Sequence, residues 1–218
     1  MKIRLCLVAL LTAALAAAVT VSAATGPDAK RERLFRAGQI DAAYEREAGD
    51  ASLPEGQIAA RGRDFVIPQD EVDRIAAIYS LTGVADGRRR ALDELVRQET
   101  LYAKAASAGV EVSDDALETA LSEQRAFFES AENYDDFLEY LKGAGWTADQ
   151  YWEKQRASTR KQMAADRYLA GLRKQYQREH AVTGWEADPQ TFWESFLEEQ
   201  IAQWIQEQQV VVTGQGGH

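Results

Sequence analysis

The chain has two histidines, His180 and His218, and neither lies near a second histidine or a cysteine in sequence. Zinc needs three or four nitrogen, sulfur or carboxylate donors held together, usually from closely spaced His and Cys, so no metal ligand set is assigned. As the base of a serine triad His180 is the lone candidate. Its place at the end of a predicted helix explains it better, because a histidine there meets the negative end of the helix dipole. Gly214-Gln215-Gly216-Gly217 is glycine-rich but opens no helix, as a phosphate-cradling loop would. Acid pairs stand at Asp114/Asp115, Asp135/Asp136 and Glu198/Glu199. Paired carboxylates can hydrolyse glycosides, and a glycan hydrolase is one reading of them. The first two pairs, however, fall in the first turn of predicted helices, where negative charge complements the macrodipole without any substrate. The sequence is read as non-enzymatic, with no catalytic residue, metal or cofactor.

The aromatic residues offer binding chemistry instead. All five tryptophans come late, at Trp146, Trp152, Trp185, Trp193 and Trp204, with Phe127, Phe128, Tyr134, Phe137, Tyr140 and Tyr151 close by. Most of these rings are expected in the core. Successive residues on a helix point about 100° apart, so two large neighbours do not easily share one buried stripe. One member of each of the pairs Phe127/Phe128, Tyr140/Leu141 and Tyr151/Trp152 is therefore expected to face outward. Phe127, Tyr140 and Trp152 are the candidate client-binding residues, since exposed rings on a helical cradle suit low-specificity capture of apolar peptide segments.

The elements that must carry these rings can be read from caps and periodicity. Four prolines, Pro27, Pro54, Pro68 and Pro189, punctuate the chain. Residues 25–56 form an N-terminal arm with one charged helix, Lys30–Glu47, anchored by Leu34, Phe35, Ile40 and Tyr44. Whether that arm is a spacer or docks on the body stays open. Gln57–Pro68 reads as a short hairpin or single strand, followed by a helix over Gln69–Leu81 with Val72, Ile75, Ala76 and Tyr79 on one face. Asp86 is the expected N-cap of a helix reaching about Ala108, with Gly109 in the left-handed position beyond its end. Ser113 caps a helix to about Ser130. Tyr134–Lys142 is a shorter one, closed by Gly143 and Gly145. Thr147 and Gln150 form a capping box for the longest helix, which runs to about His180. Its middle, Glu153–Gln162, has no large apolar residue and is expected to line a groove or bridge two lobes. Asp188-Pro189 starts a final helix over residues 189–207. Val210–Val212 is a short strand expected to pair with Phe65–Ile67, and 214–218 is a tail. The fold class is mainly α, with a small β-sheet.

Charge and the N-terminus set the compartment. Met1-Lys2-Ile3-Arg4 is a basic start, Leu5–Ala24 is uncharged, and the run ends in Val21-Ser22-Ala23-Ala24. This pattern is expected to be a cleaved signal peptide over residues 1–24, the alternative being a retained membrane anchor. Cleavage removes Lys2, Arg4 and Cys6, the chain's one cysteine. Just under 200 residues then remain, with 23 basic against 35 acidic side chains, a net charge of −12. Such a surface repels nucleic acid and anionic lipid, and a chain without cysteine has no disulfide or thiol chemistry.

The order of elements, together with Ala91-Leu92-Asp93-Glu94-Leu95-Val96, Leu101-Tyr102 and the junction Gly109-Val110-Glu111-Val112-Ser113-Asp114, resembles the SurA-type N-terminal chaperone domain. Gly145-Trp146-Thr147-Ala148 and Tyr151 look like that family's entry into its long helix. The resemblance spans about Ile58–Val212, so residues 57–213 are taken as one domain. In the family a parvulin-type prolyl isomerase domain often interrupts the chain before the last helix returns. Only Ala181–Asp188 stands at that point here, eight residues that cannot hold such a domain. The resemblance implies a periplasmic or secreted, ATP-independent chaperone-like protein binding unfolded or extended polypeptides. The alternative is a non-catalytic envelope adaptor that grips one folded partner, using the arm helix to dock.

Overall fold

The computed structural model describes residues 26–45, 53–180 and 189–213. The expected leader, Trp185, Asp188 and the tail 214–218 lie outside the described residues.

Helix α1 (Pro27–Glu45) precedes a hairpin of β1 (Ile58–Arg61) and β2 (Val66–Pro68). Six helices follow: α2 (Gln69–Leu81), α3 (Gly87–Ser107), α4 (Asp114–Glu129), α5 (Tyr134–Ala144), α6 (Ala148–Glu179) and α7 (Pro189–Glu207). The two-residue strand β3 (Val211–Val212) closes the described chain. Local signals set most of these limits. Ser113 Oγ accepts from the Ala116 amide, and Thr147 with Gln150 makes the full reciprocal capping box. Gly109 and Gly145 adopt φ of 67° and 69°, the left-handed turn that ends α3 and α5.

Asp86 precedes α3 as expected but does not cap it through its side chain. Its own backbone is left-handed, at φ 53°, a conformation that Asp tolerates better than most residues. The carboxylate turns toward Arg89 at 3.4 Å, while the Asp86 carbonyl accepts from the Arg90 amide at 3.0 Å.

Two apolar clusters organise the packing. One joins Val112, Leu117, Leu121, Phe137, Tyr140, Leu141, Tyr151 and Trp152 with Ala37 of α1. The other puts Ala59, Ala60 and Ile67 of the hairpin against Val72, Tyr79, Ala91, Leu95 and Val96. Helix α6 runs along both α3 and α4, and α7 lies on α3. The middle of α6 lines a groove at Glu153 and Arg156, as expected, yet two of its polar side chains are deeply buried. Thr159 and Gln162 are buried there, and Gln162 belongs to a polar chain that joins α3 to α6. Gln98 donates to Tyr102 Oη at 2.8 Å, Tyr102 donates to Gln162 at 3.2 Å, and Gln162 donates to Asp166 at 2.9 Å. Burial pushes the Tyr102 phenol up to about 12.

The early and C-terminal strands share one sheet, but the expected direct pairing of Phe65–Ile67 with Val210–Val212 is corrected. Strand order is β2-β1-β3, both pairs antiparallel, so β1 lies between them. The Gly62–Phe65 turn folds β2 onto one edge of β1, and Ala60 and Arg61 receive Val212 and Val211 on the other. The hairpin closes locally, and the return strand takes the edge that remains.

The arm question is resolved too: α1 docks on α5 and α2. Its buried face is Leu34, Ala37, Gly38, Asp41 and Ala42, at i, i+3, i+4, i+7 and i+8. Phe35, Ile40 and Tyr44, expected as anchors, are only half-buried. Gly143 does not close α5; it lies inside the helix, where α1 crosses. A Cβ at Gly143 would stand 1.9 Å from the Phe35 carbonyl oxygen, and one at Gly38 would stand 2.1 Å from that of Tyr140. Both glycines are required by this backbone-to-backbone approach.

Candidate functional site

The three candidate binding residues do not form one surface. Phe127 on α4 is exposed, at 57 %. Tyr140 and Trp152 are buried, which corrects the expectation that each would be the outward member of its pair. Tyr140 and Leu141 are buried together because α1 covers the side of α5 that would otherwise meet solvent. The Tyr140 hydroxyl donates to the buried Asp41 carboxylate of α1. Burial first, and then the Asp41 charge, hold that phenol well above the usual tyrosine range. Tyr151 and Trp152 both enter the first cluster, with centroids 5.1 Å apart and Phe137 at 5.0 and 6.1 Å from them. Phe128 meets Trp152 edge-on at 5.6 Å.

One edge of Trp152 nevertheless reaches a surface cavity. Between α4 and α6 lies a groove of about 310 Å³, lined by Glu118, Leu121, Ser122, Arg125, Asp149, Trp152, Glu153 and Arg156. Helical spacing puts it there. Glu118, Leu121, Ser122 and Arg125 lie at i, i+3, i+4 and i+7 of α4, and Asp149, Trp152, Glu153 and Arg156 repeat that spacing on α6. Buried Leu121 and Trp152 make its floor.

The walls are charged and paired. Arg125 bonds Asp149 at 2.6 Å and Glu129 at 2.9 Å, and Arg156 bonds Glu118, with Glu153 at 3.7 Å. The Arg156 hydrogen bond holds the Glu118 carboxyl below the ordinary range. With three acids against two arginines on the lining, the groove is nearly neutral within an acidic chain. An apolar floor under charged walls can take an aliphatic or aromatic side chain while bonding a peptide backbone at the rim. Among the described residues, no three His, Cys, Asp or Glu side chains converge as metal ligands would.

The groove could have been sought in the sequence. Its two rows share an i, i+3, i+4, i+7 pattern of acid, apolar or polar, and basic side chains. The signal is weak, because the same pattern describes many solvated helix faces.

Residues 76–169, from within α2 to within α6, match the family model of the SurA-like N-terminal domain. That stretch is a SurA-like N-terminal domain. The match is shorter than the resemblance read from Ile58 to Val212, and it contains both rows of the groove. This SurA-like domain is by itself a non-catalytic module. No curated protein and no solved structure matches the chain. Among the described residues, no helix is long and apolar enough to cross a membrane.

Proposed function

We propose that this SurA-like protein is an extracytoplasmic, ATP-independent chaperone-like protein that holds extended or unfolded polypeptide segments in the α4/α6 groove. The observation that carries this reading is the floor of Leu121 and Trp152 beneath walls of both charge signs. At about 310 Å³ the cavity is at the small end of the ~300–1,000 Å³ typical of binding pockets, the size for one or two client side chains. Holding of this kind is weak and exchanges fast, since ordering a flexible client costs free energy. Exposed Phe127 on the same helix offers a second apolar contact, whereas Tyr140 acts inside the fold. The net charge of −12 after loss of the leader keeps such complexes soluble and favours basic clients. An adaptor would use α1 as its free docking helix. The inward face of α1, from Leu34 to Ala42, is already buried against the body, which favours the chaperone reading.

The test is light scattering of a chemically denatured secreted client. The protein at several-fold molar excess is expected to suppress aggregation, and Leu121→Asp to lose most of that effect. Unchanged aggregation with the parent protein would reject the reading.

A further inference from the structure

Helix α1 brings little apolar surface to its interface. Leu34 is the one large side chain it buries completely; Ala37, Gly38 and Ala42 are small. Its position is fixed by shape and by one carboxylate. The mutual notch of Gly38 and Gly143 admits α1 only where neither helix carries a Cβ. Asp41, 7 % exposed, then receives Arg74 Nη1 at 2.7 Å and the Tyr140 hydroxyl. Lys30 pairs with Asp136 at the rim.

Both donors to Asp41 are held in place by the rest of the molecule. Glu71 bonds Arg74 at 2.7 and 3.2 Å. Trp146 and Tyr151 pack edge-on against Tyr140 at 6.3 and 6.0 Å. The seat therefore presents a cation and a phenol hydroxyl preset for a carboxylate, next to a glycine notch. Helix α1 and Arg74 both lie outside the stretch that matches the SurA-like domain, which begins at residue 76, whereas Tyr140 and Gly143 lie within it.

We propose that the α1 seat, formed by α2 and α5, is a helix-recognition site that α1 fills in cis and that also accepts a helix from another polypeptide. The partner it fits has the chemistry that α1 displays: an aliphatic residue, two small residues and a carboxylate at i, i+3, i+4 and i+7, with glycine at i+4. The seat and the α4/α6 groove share no lining residue, and they meet only through the core cluster that joins Ala37 and Tyr140 to Leu121 and Trp152.

A fluorescein-labelled synthetic peptide of residues 27–45 tests the site by anisotropy against the full-length chain. Uptake by the full-length Asp41→Asn chain, whose own α1 is loosened, is expected to be at least tenfold tighter than uptake by the parent. Peptides carrying Gly38→Ala or Asp41→Asn are expected to lose tenfold or more. No binding of the parent peptide to the Asp41→Asn chain, or equal binding of the Gly38→Ala peptide, would overturn the proposal. If circular dichroism shows that the Asp41→Asn chain does not fold, full-length Lys30→Ala decides. It loosens only the rim and should show a smaller gain over the parent, and no gain would overturn the proposal. Full-length Ser122→Glu, on the exposed groove lining and outside the core cluster, should take up the peptide as the parent does, which separates failure here from failure of the holding assay.

Discussion

Gln208 and Asp64, 144 residues apart, exchange two hydrogen bonds: the Asp64 amide donates to Gln208 Oε1 at 3.0 Å, and Gln208 Nε2 donates to Asp64 Oδ2 at 2.8 Å. The Gln208 carbonyl also accepts from the Arg63 amide at 2.8 Å. A glutamine 1 % exposed thus fastens the end of α7 to the hairpin turn, and Thr213 continues the seam by donating to the Ala59 carbonyl at 2.9 Å.

Gln208→Ala removes the side-chain half of this fastening and strands a buried amide. The expected cost is roughly 1–3 kcal/mol, read as a lower urea midpoint with an unchanged slope. Hydrogen exchange should rise first in α7 and β3.

The glycines make a sharp pair of opposites. Gly171→Ala, on α6 with nothing within 4 Å of the new methyl group, should stabilise by up to about 1 kcal/mol. Gly143→Ala should destabilise by roughly 1–3 kcal/mol or eject α1, because its methyl would meet backbone. Thermal melts of the two variants check both signs.

Tyr140→Phe separates structure from binding. It leaves the Asp41 carboxylate without one of its two donors and should cost roughly 1–3 kcal/mol in denaturant unfolding. Client holding should stay at the parent level at temperatures where the variant is folded.

Asp166 gives the pH dependence. Burial raises its carboxyl above the ordinary aspartate range, and the Gln162 hydrogen bond opposes that only in part. A raised folded pKa means that its contribution is fully present below the pKa of the unfolded chain and is lost as pH rises through the folded value. Asp166→Asn removes this dependence. Urea unfolding of both proteins across that window should show the parent gaining on the variant as pH falls.

The fold was legible where local chemistry decides it. Ser113, Thr147 with Gln150, Gly109 and Gly145 each act within one turn, and the helix limits follow from them. Contacts between distant segments were harder to read. A buried face of Ala37, Gly38, Asp41 and Ala42 has no hydrophobic signature, so the docking of α1 and the crossing role of Gly143 were hidden. Gln162 is buried because Tyr102 and Asp166 satisfy it from two sides, which no periodicity reports. The outward-ring expectation held for Phe127 alone: a helix covered on two sides can bury both members of an adjacent pair, as α5 does under α1 and α6 does under α4. Trp152 still meets the groove, as its floor rather than as a protruding ring.

Site-specific photocrosslinking reaches the central claim most directly. A benzophenone side chain replacing Ser122, on the groove lining, is compared with one replacing exposed Arg36 on α1, each incubated with the same denatured client. Strong crosslinking at 122 that Leu121→Asp abolishes, with little at 36, is the expected result. Equal labelling at the two positions, or none at 122 while the protein still suppresses aggregation, would contradict a client held between α4 and α6.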